Sequence, residues 1–303
     1  MKNCRGCSGN VNQTNNNPYL KTNISEEIVE KTLKHPCYSP DAHNYARIHL
    51  PIAPLCNIQC KFCNRKYDCQ NESRPGVTSN LLTPLQALKT FEYYYNNVEN
   101  LSVMGIAGPG DALANVDRTF KTIDLIKEKY PEITVCLSTN GLMLPKYAIA
   151  LRDIGVTHLT VTINAVDAHI GQQIYAHIDY ERERIKGLKG AQILLDNQLK
   201  GLEMIKDMDM MCKVNIVAVK GINLDHIKQI VQKVKNLGVT YTNIMPLIPV
   251  SGTIFENHEV LTNAELNELR NECSEILPQM RHCRQCRADA VGKLSDTQTK
   301  IAI

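Results

Sequence analysis

Twelve cysteines are the chain's most distinctive chemical resource. They fall in groups at Cys4 and Cys7, at Cys56, Cys60, Cys63 and Cys69, and at Cys283 and Cys286, while Cys37, Cys136, Cys212 and Cys273 stand alone. Grouped thiols suggest shared metals. The run Cys56-Asn57-Ile58-Gln59-Cys60-Lys61-Phe62-Cys63 has C-x3-C-x2-C spacing. Three thiolates at that spacing hold three irons of a 4Fe-4S cube and leave the fourth iron without a protein ligand. Two other readings of the run stay open. A zinc knuckle wants a fourth ligand and usually a C-x2-C pair on each side, and a ferredoxin-type cluster needs a fourth cysteine, which Cys69 could supply. A disulfide framework is disfavoured, because such frameworks belong to small secreted domains and the opening Met1-Lys2-Asn3-Cys4 has no apolar signal core.

The elements that must position these thiols follow from hydrophobic period. Strands are expected near Arg47 to Ala53, Leu101 to Ala107, Thr134 to Ser138, His158 to Ile163, Lys213 to Val219 and Thr242 to Leu247. Between them lie amphipathic segments near Leu85 to Val98, Arg118 to Lys129, Lys146 to Asp153, Leu195 to Met208 and Asp225 to Asn236. Repeated strand and helix predict an α/β fold with a parallel sheet, and right-handed crossovers curl it toward a partial (β/α)6 TIM-like barrel. Ser25 caps a short helix over Glu26 to Lys34 that ends before His35-Pro36, and a further helix is expected near Asn263 to Leu277. The first seventeen residues and the stretch from Asn71 to Asn80 read as loop, and Ala168 to Lys189 as an extended loop or lid. Three parts result: a cysteine-bearing N-terminal extension over 1–46, a barrel over 47–250, and a helix with a cysteine-bearing tail over 251–303. With 34 Lys and Arg against 31 Asp and Glu, the net charge of +3 argues for neither a nucleic-acid nor a membrane partner. No stretch approaches the roughly 18 consecutive apolar residues of a membrane span, so a cytoplasmic protein is expected.

A C-x3-C-x2-C run just after the first strand of such a barrel resembles the radical S-adenosylmethionine (SAM) enzymes. The resemblance implies that SAM chelates the open iron and that an electron from the cluster cleaves its sulfonium to a 5′-deoxyadenosyl radical. It also implies cofactor contacts at the ends of the following strands. Gly108, Pro109, Gly110 and Asp111 would form the glycine-rich turn that receives the SAM amino group, with Asp111 in place of the commoner glutamate. Ser138, Thr139 and Asn140 before Gly141 would face the ribose or carboxylate, as would Thr162 and Asn164. Strand-end capping accounts for any of these polar residues equally well.

A narrower resemblance is carried by His35-Pro36-Cys37-Tyr38-Ser39, Ala42-His43, Ile52-Ala53-Pro54-Leu55-Cys56, Cys63-Asn64-Arg65-Lys66-Tyr67-Asp68-Cys69, Asn71-Glu72-Ser73-Arg74-Pro75-Gly76-Val77 and Cys283-Arg284-Gln285-Cys286-Arg287-Ala288-Asp289-Ala290. These segments resemble the NifB family of nitrogenase cofactor-maturation proteins over nearly the whole chain. That family fuses two 4Fe-4S units, K1 and K2, inserts a carbide from a SAM methyl group, adds a ninth sulfur and releases an 8Fe-9S-C precursor. Some members carry a C-terminal NifX-like domain, and this chain is read as the short form without it.

The resemblance implies that Cys37, Cys69 and Cys136 ligate K1 with a histidine, for which His43 is chosen over His35 and His49. It implies that Cys4, Cys7, Cys283 and Cys286 serve K2, although two C-x2-C pairs could equally make a structural zinc site. Cys212 and Cys273 read as packing residues. Asn71, Glu72 and Arg74 are assigned to catalysis, the carboxylate moving a proton and Arg74 pairing with it or with cluster charge, with surface salt-bridge roles the equal alternative. In the implied scheme SAM first methylates a K2 sulfide, and a second SAM then supplies the radical that abstracts a methyl hydrogen. A NifU-like cluster donor and a NifEN-like scaffold are the implied partners. Two alternatives remain: another radical SAM enzyme with auxiliary clusters acting on a peptide or small molecule, and a non-enzymatic iron-sulfur scaffold.

Overall fold

The computed structural model describes residues 24–39, 42–77 and 80–296. In chain order its helices and strands are α1 (Glu26–Leu33), β1 (Ala46–His49), β2 (Ile58–Cys60), α2 (Pro84–Asn97), β3 (Leu101–Ile106), α3 (Val116–Lys129), β4 (Thr134–Thr139), α4 (Leu144–Asp153) and β5 (Val156–Thr162). There follow α5 (Ala168–Ile174), β6 (Tyr175–Tyr180), β7 (Glu183–Lys186), α6 (Gly187–Ile205), β8 (Met211–Ala218), α7 (Ile227–Asn236), β9 (Tyr241–Pro246), α8 (Asn263–Ser274) and β10 (Val291–Gly292).

Six strands, β1, β3, β4, β5, β8 and β9, run parallel in that spatial order, and β10 adds antiparallel to the β1 edge. This is the expected curled half-barrel. Strand period sorts its residues. On β4, Val135 and Leu137 join the core under the helices, and Cys136 and Ser138 face the interior. On β5 and β8, Leu159, Val161, Cys212, Val214 and Ile216 face outward, while Thr160, Lys213 and Asn215 line the interior. The interior is therefore polar and thiol-bearing, and burial of the other face stabilises the fold. Cys212 and Cys273 both sit in that outer core, as their packing role requires.

The described segments flanking the barrel supply the floor and the open side. Ser25 caps α1 through the Ile28 N–H. The turn that follows is held by Tyr38, whose hydroxyl donates to the Leu159 carbonyl at 2.9 Å, while the Tyr241 hydroxyl donates to the Tyr38 carbonyl at 2.7 Å. Cys37 is thereby fixed beneath the sheet. After α8 the chain first runs along β9, with the Met280 N–H donating to the Thr242 carbonyl, and then ends on β1 as β10. Residues 281–290 consequently cross from one sheet edge to the other, carrying Cys283 and Cys286 over the gap.

The segment from Ala168 to Lys189 is not a lid. It forms α5 and a hairpin, β6 and β7, that pairs with β2 in a second, antiparallel sheet. Tyr175 and Ile178 are buried against the cysteine loop, and Arg184 pairs with Asp179 on the hairpin's exposed face. Its turn places Glu181 and Arg182 at φ of 51° and 69°, a conformation usually given to Gly or Asn, so the usual hairpin signal is missing. Helix α6 correspondingly begins at Gly187 rather than near Leu195. No helix among the described residues is long and apolar enough to cross a membrane.

Candidate metal centre

The C-x3-C-x2-C loop is held from two sides. Beneath it, β2 pairs with β6, and the Asp179 N–H donates to the Asn57 carbonyl at 2.8 Å. Beside it, the turn after β3 is hydrogen-bonded to the segment leading into Cys56. The Gly110 N–H donates to the Ala53 carbonyl at 2.6 Å and the Asp111 N–H to the Leu55 carbonyl at 2.8 Å. Asn115, which sequence reasoning passed over, closes on both peptide groups of Leu55, accepting from its N–H and donating to its carbonyl. Gly108 stands in the left-handed region at φ 132°, before a cis bond to Pro109.

Cys56, Cys60, Cys63 and Cys69 line one cavity together with Gly110, Asp111, Ser138, Thr139, Asn140 and Thr162. Burial pushes the Cys56 thiol up to about 12 and those of Cys60 and Cys69 well above the ordinary thiol range. Cys63 is also raised by burial, and Arg65 beside it works against that rise. A metal would take these groups as thiolates, displacing their protons. Asn71 donates to Cys60 Sγ at 3.6 Å and Asn140 to Cys56 Sγ at 3.7 Å, so both support charge on sulfur.

The strand-end residues divide by what they already bond. Asp111 is fully engaged: its carboxylate accepts from the N–H groups of Leu113, Ala114 and Asn140 and from the Thr139 hydroxyl. Asn164 is likewise committed, donating to Asn71 Oδ1 and accepting from the Val217 N–H. Thr162 donates to Glu72 Oε1 at 2.8 Å. The buried Gln198, also unanticipated, donates to the carbonyls of both Asn140 and Thr162 and so links the turns after β4 and β5.

A second cavity is lined by Cys37, Cys136, Cys283 and Cys286. Glu72 and Ser138 line both cavities and form the wall between them. Burial raises Glu72 to about 8, despite hydrogen bonds from Thr162 and Ser138. Arg74 does not pair with Glu72: it is exposed and donates to the Arg284 carbonyl at 3.2 Å, holding the tail instead. Cys69 is separated from Cys37 and Cys136, on the first cavity's side of the wall.

His43 does not reach either cavity; it is exposed on a 3-10 turn before β1. The histidines that line the second cavity are His35 and His49. His49 Nδ1 donates to the Arg287 carbonyl at 3.1 Å, which leaves Nε2 as a lone pair able to bind metal. His35 is set the other way, since its Nδ1 accepts from the Cys37 N–H and its buried Nε2 has no partner. Cys4 and Cys7 lie outside the described residues.

Among the described residues no three His, Cys, Asp or Glu side chains converge as they would around a single ion. Cys56, Cys60, Cys63 and Cys69 nevertheless share one cavity, and soft sulfur donors suit iron and sulfide. The residues present therefore fit an iron-sulfur cluster at Cys56, Cys60 and Cys63.

Comparison with known proteins agrees with this chemistry. Residues 50–234 match the radical SAM superfamily. The FeMo cofactor biosynthesis protein NifB of Bradyrhizobium diazoefficiens is 49% identical over 278 residues, which cover 90% of this chain and 56% of that protein. The NifB of Klebsiella pneumoniae is 47% identical, over 90% of this chain and 59% of that protein. The chain spans about half the length of the curated relatives it matches. Among solved structures, Streptococcus suis SuiB bound to S-adenosylmethionine superposes with a TM-score of 0.55 at 16% identity, over 84% of this chain and 53% of that one, and so shares the fold.

Proposed function

The chain belongs to the radical SAM superfamily, and from that premise we propose that it is a nitrogenase cofactor maturase of the NifB kind, joining two 4Fe-4S substrate clusters, K1 and K2, around a carbide drawn from a SAM methyl group. The observation that carries this reading is the pair of cysteine-lined cavities meeting at Glu72 and Ser138. One barrel then holds the radical source and its iron-sulfur substrate side by side.

Cys56, Cys60 and Cys63 hold the resident cluster, which when bound supplies the electron that breaks the SAM sulfonium to a 5′-deoxyadenosyl radical. The turn of Gly108, Pro109 and Gly110 offers carbonyls to the SAM amino group, and Ser138 and Asn140 face the same space. Asp111 and Asn164 position these groups through the bonds they already make. Cys37 and Cys136 ligate K1 with His49 Nε2, and Cys69 serves it from the SAM side of the wall. Cys283 and Cys286 serve K2, together with Cys4 and Cys7. Glu72, poised near neutrality between the cavities, takes a proton from the methyl carbon as the carbide forms. Asn71 positions Glu72's loop, its carbonyl accepting from Asn215 Nδ2, which also reaches Glu72 Oε2. A NifU-like donor loads the substrate clusters, and the 8Fe-9S-C product, with its ninth sulfur, passes to a NifEN-like scaffold.

Anaerobic reconstitution followed by SAM labelled in its methyl carbon tests the proposal. The expected result is iron for three cubes per chain and label retained in a cluster-borne carbon with 5′-deoxyadenosine released. Deoxyadenosine without retained label points instead to a radical SAM enzyme acting on another substrate. Its complete absence points to a scaffold.

A further inference from the structure

Lys213 lies on β8 with 6% of its surface exposed, and it lines the cavity of Cys37, Cys136, Cys283 and Cys286. A buried ammonium is costly unless an anion answers it. Lys213 takes part in no ion pair among the described residues. Its Nζ donates to the Met280 thioether at 3.6 Å and lies 5.1 Å from the centroid of the Tyr38 ring. A thioether is a weak acceptor and one ring face offsets only part of the desolvation. Another deeply buried cation, Arg47 on β1, is 1% exposed, does not line the cavity, and is differently placed. Its Nη1 donates to the carbonyls of Gly292 and Lys293, and its Nη2 to Cys286 Sγ at 2.9 Å. Arg47 therefore serves the chain's own tail and one ligand sulfur. Glu72, the carboxylate on this cavity, gives its oxygens to Thr162 and Asn215. Lys213 thus contacts only a thioether and a ring face, with Glu72 feeling its charge without pairing to it, in a space walled by thiols.

We propose that Lys213 is the counter-ion of an anionic, thiolate-ligated iron-sulfur cluster in this cavity, a positioning residue that retains the substrate cluster and eases its reduction. This rests on the cavity being a cluster site. Its energetic consequence has two signs. In the cluster-free chain Lys213 destabilises the fold, and in the loaded chain it stabilises the complex.

The test uses Lys213→Met and Lys213→Arg in the full chain. Cluster-free Lys213→Met unfolds at higher urea concentration than the unsubstituted chain, because an apolar side chain of similar length replaces an unanswered charge. After reconstitution the same variant loses its auxiliary iron to a chelator about a hundredfold faster or more, the order expected when one partner of a buried charge pair is removed. Its auxiliary-cluster electron paramagnetic resonance signal titrates at a lower potential. Lys213→Arg restores both properties, and the signal of the Cys56, Cys60 and Cys63 cluster stays unchanged throughout. Lys213→Gln reads the same quantities if the methionine variant does not fold. Unchanged iron retention and potential in the neutral variants overturn the counter-ion role. If the unsubstituted chain takes up no iron beyond its first cluster, the cluster reading of the cavity fails and takes the counter-ion with it.

Discussion

A β-carbon on Gly110 would stand 2.1 Å from the carbonyl oxygen of Leu55, the residue immediately before Cys56. The turn after β3 and the cysteine loop are thus in backbone contact, with no room for a side chain between them. Gly110→Ala must push them apart and break the bonds from the Gly110 and Asp111 N–H groups. We expect a loss of about 3 kcal/mol or more, read by urea unfolding of the cluster-free chain. Weakened uptake of the first cluster should accompany it, with the auxiliary iron less affected.

Asp111 lines the first cavity, and both its oxygens are occupied by the turns they join. Asp111→Asn brings an amide NH₂ against donors that now point at a carboxylate. The expected cost is about 2–4 kcal/mol in the cluster-free chain, before SAM is present. A direct SAM ligand would behave differently: unfolding would be unchanged and only SAM affinity, measured by calorimetry, would fall.

Much of this arrangement is legible in the sequence because it follows from period. The inward face of β4 is Cys136 and Ser138 and that of β8 is Lys213 and Asn215, each two residues apart, with apolar residues between. The spacing of Cys56, Cys60 and Cys63 marks their cavity equally directly. What period cannot reveal is the path of segments without it. The tail's passage from β9 to β1 depends on contacts made by Thr242 and Arg47, far away in sequence. The hairpin of β6 and β7 turns at two charged residues with positive φ. Choosing among histidines needs the hydrogen bond to the second ring nitrogen, and no local pattern encodes the Arg287 carbonyl that meets His49.

That histidine choice is open to a paired experiment. His49→Ala should alter the auxiliary-cluster signal in electron paramagnetic resonance and remove the nitrogen coupling from its pulsed spectra, since Nε2 is the free lone pair facing the thiols. His43→Ala, on an exposed turn, should leave signal, iron content and unfolding unchanged. The reverse pattern would return the ligand role to His43.

Glu72 links the two cavities, and its proton equilibrium should be visible in stability as well as in catalysis. Burial raises its carboxyl from 4.5 to about 8 in the folded chain. The folded state then holds a proton that the unfolded state releases, so this contribution to stability is fully present below about pH 4.5 and is lost as pH rises through about 8. Glu72→Gln cannot ionise. Relative to the unsubstituted chain, the cluster-free variant should become progressively more stable as pH increases between those values, whatever fixed offset its amide introduces at Asn215. Urea midpoints collected across that range measure the difference, and a difference independent of pH would show that Glu72 is ionised throughout. In turnover, the same substitution should lower carbide formation by about 10²–10⁴-fold while the first cleavage of SAM proceeds. The two readouts together separate a proton carrier from a wall residue, because only the carrier affects product carbon while sparing deoxyadenosine release.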